Sequence, residues 1–230
     1  MLQSQLWAFR PPTHSGMTEK GDSFSIADHD WHSQTYVEEW IRRDTSRHDI
    51  RRPRLQEMLS LASLDSDNDI AVLDVGGGYG LVSEQVLHAF PRAIVTLQDY
   101  SQPMLDFARR RLAPYADRMR YVFADLCDPS WVDRVAGPFD LVVSAIAIHN
   151  LGDIGMINGC YRGIASLLKP GAFFLDYDLF DIVGGVDLHI TLLSNAGFER
   201  VVCHWRQERV AIIAASSHFQ YDIHPFSEGI

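Results

Sequence analysis

The residues of this 230-residue chain best suited to chemistry are four clustered glycines and the acids that recur after them. Gly76, Gly77, Gly78 and Gly80 follow Asp74 at the end of a short apolar run, Ile70 to Val75. Apolar on both faces and rich in β-branched residues, that run reads as a buried strand. Leu81, Val82, Val86, Leu87 and Phe90 then recur at helical spacing. Glycines between a strand and a helix let the backbone approach a ligand closely, and the helix start presents unpaired N–H groups. A dinucleotide fingerprint requires Gly-x-Gly-x-x-Gly. Counted from Gly76 it meets Leu81, and counted from Gly78 it meets Ser83. The spacing present is Asp-x-Gly-x-Gly-x-Gly.

With that motif the chain resembles the class I S-adenosylmethionine (SAM)-dependent methyltransferases, in their small-molecule (type 11/12-like) branch. Ligands of such sheets bind outside the carboxyl ends of the strands, so later strand ends should carry matching groups. The second strand ends in Gln98-Asp99-Tyr100-Ser101. A carboxylate at Asp99 suits a ribose diol, which offers two donors, and Ser101 is the better helix cap. Tyr100 would lie beside the adenine. The third strand ends in Ala124-Asp125-Leu126. The resemblance assigns Asp125 to the adenine amino group and the Leu126 backbone N–H to a ring nitrogen, although an aspartate there also forms turns. Asp74 would face the methionine end of the cofactor or order the glycine loop. The fourth strand, Phe139 to Ala145, would bring the Ser144 and Ala145 carbonyls to the cofactor ammonium.

Methyl transfer from a sulfonium needs chiefly alignment and exclusion of water. A base is required only for a hydroxyl or a protonated amine. His149, just past the fourth strand, is the candidate catalytic base, or else it closes a loop. Asn150 would orient. Tyr177 and Asp178 end the fifth strand and could face the acceptor. Trp31, Tyr36 and Trp40 share one helical face and either cover the pocket as a substrate-binding lid or pack on the sheet. Six arginines from Arg42 to Arg54 form a solvated face, or offer one or two partners to a carboxylate. His29 and His32 lie beside Asp28 and Asp30 without a further ligand nearby, so no metal is expected.

Composition narrows the partners. The formal net charge is −10, from 20 basic and 30 acidic residues, which argues against nucleic acid. The site after the fourth strand reads Ser144-Ala-Ile-Ala, without the proline pair usual in amino-directed nucleic-acid enzymes, and no Pro-Cys nucleophile occurs. A small-molecule acceptor at oxygen or nitrogen is the reading. Three scattered cysteines, no membrane-length apolar run and no signal-like start imply a cytoplasmic protein without a membrane partner. Alternatives are an NAD(P)-dependent oxidoreductase, disfavoured by Leu81, and a catalytically silent SAM-binding protein.

These residues require an α/β scaffold. Residues 1–24 read as a flexible arm, 25–66 as a helical cap, 67–216 as the cofactor-binding core and 217–230 as a tail. The cap should hold two amphipathic helices separated by a charged stretch, the second after Pro53. Strands at 70–75, 93–98, 120–124, 139–145 and 172–178 alternate with helices at 79–89, 104–112, 154–168 and 188–196. Lys169-Pro-Gly171 is expected to stop the helix before the fifth strand. The last two strands, 199–205 and 209–215, are joined by a turn at 206–208 and must be antiparallel. The expected fold is a doubly wound, mostly parallel, seven-stranded sheet with a terminal antiparallel hairpin. With a short link from 179 to 187, the pocket must borrow walls from the cap or from a second subunit of a homodimer.

Overall fold

A computed structural model describes residues 29–217; the expected arm and nearly all of the expected tail lie outside them. Two cap helices come first: α1 (Gln34–Thr45) and α2 (His48–Ser60). The sheet then builds as β1 (Ala71–Val75), α3 (Leu81–Ala89), β2 (Ile94–Asp99), α4 (Gln102–Arg111), β3 (Met119–Phe123) and β4 (Phe139–Ala145). It continues with α5 (Ile154–Ser166), β5 (Leu168–Asp178), α6 (Val186–Asn195), β6 (Arg200–Gln207) and β7 (Val210–Ser216). The strand order is β3-β2-β1-β4-β5-β7-β6, parallel as far as β5 and antiparallel at both pairings of β7. Order reverses between β1 and β4, which opens a crevice beside the carboxyl end of β1.

Each sheet face carries its own apolar core. Val72, Val95, Leu97, Val143 and Leu175 pack beneath the cap helices, α3 and α4. Leu73, Val75, Val142 and Phe174 pack beneath α5 and α6. Central strands buried on both faces explain the continuous apolar runs. Side-chain caps start three of the helices: Ser33 accepts from Tyr36 N, Ser101 from Met104 N and Asp153 from Met156 N.

The structure corrects three boundaries. Helix α2 begins at His48 and runs through Pro53, so five of the six arginines lie on the two helices and only Arg47, the N-cap of α2, lies between them. The proline removes one helical hydrogen bond, but Leu55, Met58 and Leu59 are buried on the sheet and hold the helix. Lys169-Pro-Gly171 lies within β5 instead of ahead of it. Phe139 pairs with Leu168, and the register shifts before Leu141 pairs with Phe173. The irregularity accommodates Pro170, which has no N–H to donate, and Gly171 at φ +75. At the hairpin, Gln207 pairs with Val210, leaving only Glu208 and Arg209 in the turn.

Packing at the glycine loop leaves no room for a side chain at Gly77. A Cβ there would lie 2.6 Å from Leu97 Cγ and 2.9 Å from the Asp74 carboxyl carbon, both fully buried. Gly77→Ala should therefore destabilise the fold by about 1–3 kcal/mol, the usual cost of overpacking. Urea unfolding measures this; a loss below about 0.5 kcal/mol would contradict the tight approach.

Candidate functional site

The floor of the site is the glycine loop after β1, tied to the end of β2. Gly76 N donates to Gln98 Oε1 (3.0 Å), Gly77 N to the Gln98 carbonyl (2.9 Å) and Gly78 N to Asp99 Oδ2 (2.8 Å). Gln98 Nε2 donates in turn to the Ala124 carbonyl past β3 (2.6 Å). Gly76 adopts φ +61, and a Cβ on it would meet Ala147 Cβ at 2.6 Å. The loop is thereby drawn against its neighbours, and its first amides are consumed within the protein.

Asp99 lies at one end of this floor, 7% exposed. Its Oδ1 accepts from Ser101 N at 2.8 Å and its Oδ2 from Gly78 N. Burial raises this carboxyl to about 6, against the opposing effect of the backbone hydrogen bonds. A carboxylate accepts about four hydrogen bonds, so these two leave capacity for two more.

Asp74 is buried beneath the loop. Its Oδ2 accepts from Ser83 Oγ at 2.6 Å, which joins the strand end to the first turn of α3. Its Oδ1 has no partner among the described residues.

The N-terminal cap forms the roof. Trp31, Trp40 and Arg51 face the cleft together with Gly76–Tyr79, Asp99, Tyr100, Met104, Ala145–Ala147 and Asn150. Trp31 precedes α1 and is fastened by its carbonyl, which accepts from Ser101 Oγ. Its ring lies edge-on to Trp40 (5.4 Å) and Tyr36 (5.5 Å), and the His32 ring meets Tyr100 edge-on (5.1 Å).

The sequence candidates thus divide. Gly76, Gly77, Gly78, Asp99, Tyr100, Trp31 and Trp40 line one cleft. Gly80 starts α3 as its N-cap, and Tyr36 packs on Trp31 behind the roof. Asp125 is exposed past β3 and accepts from Cys127 N at 2.9 Å, with Leu126 beside it. Ser144 is fully buried in β4, next in register to Asp176 of β5, and neither side chain finds a partner among the described residues. Tyr177 stacks on Trp205, ring centroids 6.3 Å apart.

His149 stands behind the wall formed by Ile146, Ala147 and Asn150, 3% exposed. Its Nδ1 lies 2.5 Å from Asp178 Oδ1, and its backbone N donates to Asp178 Oδ2 (2.9 Å). Leu179 N also donates to Oδ1. Burial alone would raise Asp178, yet the charge and hydrogen bonds of His149 hold it below the usual carboxylate range. Paired with this carboxylate, Nδ1 carries the proton of the hydrogen bond, and in the neutral form of the ring Nε2 is the accepting nitrogen.

Three contributors escaped the sequence reading. Gln98 resembled any polar strand residue. Arg51 was one of six similar arginines. Ile146 adopts φ +53, a strained conformation for a β-branched residue, which no local pattern announces.

Sheet order, glycine loop and terminal hairpin together define the class I methyltransferase fold. Residues 73–174 match the family described as a methyltransferase domain. A release factor glutamine methyltransferase of Chlorobaculum tepidum is 35% identical over 113 residues, 48% of this chain and 38% of that protein. The chain thus spans well under half the length of this curated relative. Among solved structures, an O-methyltransferase family protein from Burkholderia thailandensis superposes with a TM-score of 0.65 at 16% identity, covering 85% of this chain and 62% of that one. The N-methyltransferase NodS from Bradyrhizobium japonicum, solved with S-adenosylhomocysteine, gives 0.59 at 19% identity over 72% and 86%.

The buried Asp74 yields a prediction of sign. Burial raises its carboxyl from an ordinary 3.8 to about 7; Ser83 opposes this and Asp99 adds to it. The folded chain then keeps a proton that the unfolded chain gives up nearer pH 4. That contribution to stability is complete below about pH 4 and is lost as pH rises through about 7. Asp74→Asn removes the dependence. The variant should gain on the order of 1–3 kcal/mol relative to the parent between pH 5 and pH 8. Urea unfolding at both values tests this, and a pH-independent difference would refute it.

Proposed function

We propose that this chain is a SAM-dependent methyltransferase acting on oxygen or nitrogen of a small-molecule acceptor. The observation that carries the reading is the cleft at the carboxyl ends of β1, β2 and β4, with a glycine floor and Asp99 at one end. The fit to the cofactor rests on two features of the chain. Side chains are absent from the floor where a Cβ at Gly76 would strike Ala147, and Asp99 retains acceptor capacity for a diol. Asp99 would hold the ribose and Tyr100 would wall the adenine. Asp125 and Leu126 would meet the adenine edge, and the Ser144 and Ala145 carbonyls the ammonium.

SAM supplies an electrophilic methyl group on a sulfonium. The protein's part is to align the acceptor and exclude water. Trp31 and Trp40 close the cleft from above. His149, with Nδ1 committed to Asp178, would receive the acceptor's proton at Nε2. Its place behind the lining favours a second role, bracing the ends of β4 and β5. An oxidoreductase is opposed by Leu81 and by the β6–β7 hairpin. The small-acceptor reading draws on Ser144-Ala-Ile-Ala and the acidic charge; a protein acceptor is the competing class, given the release factor relative.

Calorimetric titration tests the cofactor. S-adenosylhomocysteine should bind and NADH should not; the reverse would overturn the proposal. Asp99→Asn should weaken S-adenosylhomocysteine about 10–100-fold, the scale of a hydrogen bond to a charged group. In the parent, affinity should decline as pH falls through about 6, where Asp99 takes up its proton.

His149→Gln separates the two roles. As a base, His149 contributes about 100-fold or more to turnover with cofactor affinity nearly unchanged. Full turnover in the variant would leave bracing as its only role.

A further inference from the structure

We propose that Arg51 is the carboxylate anchor of the cleft, held in position by Asp44 and His48 of the cap and by Tyr79 of the glycine loop. This rests on the methyltransferase reading and deepens it by naming the anionic group that the roof recognises.

Arg51 alone among the six cap arginines is buried, at 7% exposure, and it faces the cleft. Its Nη1 donates to Asp44 Oδ2 and its Nη2 meets Asp44 Oδ1, both at 2.8 Å. Tyr79 OH donates to the same Oδ2 at 2.5 Å, so His48 Nε2, 2.6 Å from that hydroxyl, must supply the proton between them. The network grips one edge of the guanidinium. Of its five N–H groups two go to Asp44, and no acceptor among the described residues takes the others. A buried Arg–Asp pair is a poor stabiliser compared with apolar packing, so its presence on a cleft wall calls for another reason.

The charge around Arg51, which alone of this cluster lines the cleft, points to an anion. Arg51, Arg52 and Arg111 face Asp44 and Glu84, with Arg111 Nη2 2.7 Å and Arg52 Nη2 3.8 Å from Glu84 Oε2. Three cations against two anions leave one positive charge here, in a chain of net charge −10. Burial, and next Arg111, lower His48, so it adds no further charge at neutral pH; Asp44 opposes them. One surplus charge and one planar fork match a monoanionic carboxylate better than a phosphate dianion.

Position separates this end from the ribose end. Arg51 acts electrostatically on Tyr177 at the close of β5, whereas Asp99 ends β2, three strands away with β1 and β4 between. The cleft that Arg51 faces is lined in part by Trp40, Ile146 and Ala147, with Asn150 a neutral polar member. Two carboxylates have the required chemistry: that of the cofactor's methionine portion and that of an acidic acceptor with an apolar body.

Two titrations with Arg51→Gln distinguish them. The first compares S-adenosylhomocysteine with 5′-methylthioadenosine, which lacks the amino-acid portion. A tenfold or greater loss for the first ligand, with the second unchanged, assigns Arg51 to the cofactor carboxylate. The second compares benzoate with benzamide, each with and without saturating S-adenosylhomocysteine. Benzoate-selective binding in the parent that disappears in the variant assigns Arg51 to the acceptor. Because Arg51→Gln strands Asp44, the double variant Asp44→Asn/Arg51→Gln repeats both titrations with a neutral pair. If neither variant alters the nucleoside ratio or the benzoate preference, the anchor is overturned. Absence of S-adenosylhomocysteine binding in the parent instead defeats the methyltransferase reading, and the benzoate comparison without nucleoside still decides Arg51.

Discussion

The site depends on how closely the loop after β1 approaches the end of β2. Two consecutive residues, Gln98 and Asp99, accept the amides of Gly76, Gly77 and Gly78, and Gln98 also reaches the carbonyl of Ala124. Ends of three strands are thereby fixed by backbone and short side-chain bonds, none of which survives a displacement of about an ångström. The approach also determines what the floor offers. Since those amides are already paired, the floor gives proximity rather than donors. Polar recognition must come from the remaining acceptor capacity of Asp99 and from the roof.

Buried acids surround this floor in contrasting states. Asp74 beneath the loop has one bonded and one unpartnered oxygen, and its carboxyl is raised. Asp176, within β5, has no partner for either oxygen among the described residues, and burial followed by nearby Asp178 holds its carboxyl well above the usual range. Two residues on, Asp178 is held ionised by His149 and by backbone amides. Identical side chains in one strand differ because one meets donors and the other meets only burial. An ionised Asp178 fixes the tautomer of His149, whereas a protonated Asp176 spares the sheet a second buried charge.

Legibility followed the range of the interactions concerned. The run into β1, the glycine spacing, Asp99 with Ser101 as the following cap, and the terminal hairpin are local patterns, and the sequence displays them. Helix α2 passing through Pro53 depends on Leu55, Met58 and Leu59 reaching the sheet, a tertiary contact that outweighs one lost bond. Lys169-Pro-Gly171 lies in a strand because β4 pairs on either side of it, with Leu168 and again with Phe173. Gln98 and Arg51 matter through partners distant in sequence or through the cleft they face, and their spacing carries no mark of either. Trp31 and Trp40 were legible as an apolar face, but whether that face met the sheet or the cleft was a question of docking.

Sheet and cap divide the work. The family match spans residues 73–174 and so contains the end of β1, the glycine loop, Asp99 and His149, but none of Trp31, Trp40 or Arg51. Structural likenesses at 16–19% identity carry the fold alone. The family match therefore covers the floor and the strand ends, and the roof lies outside it. An aromatic pair with an arginine braced from one side forms a wall with shape and sign: broad apolar faces, and a single positive charge opposite the acid of β2. On the proposed reading any acceptor would enter against that wall, which would make discrimination among acceptors a property of α1 and α2 more than of the sheet beneath them.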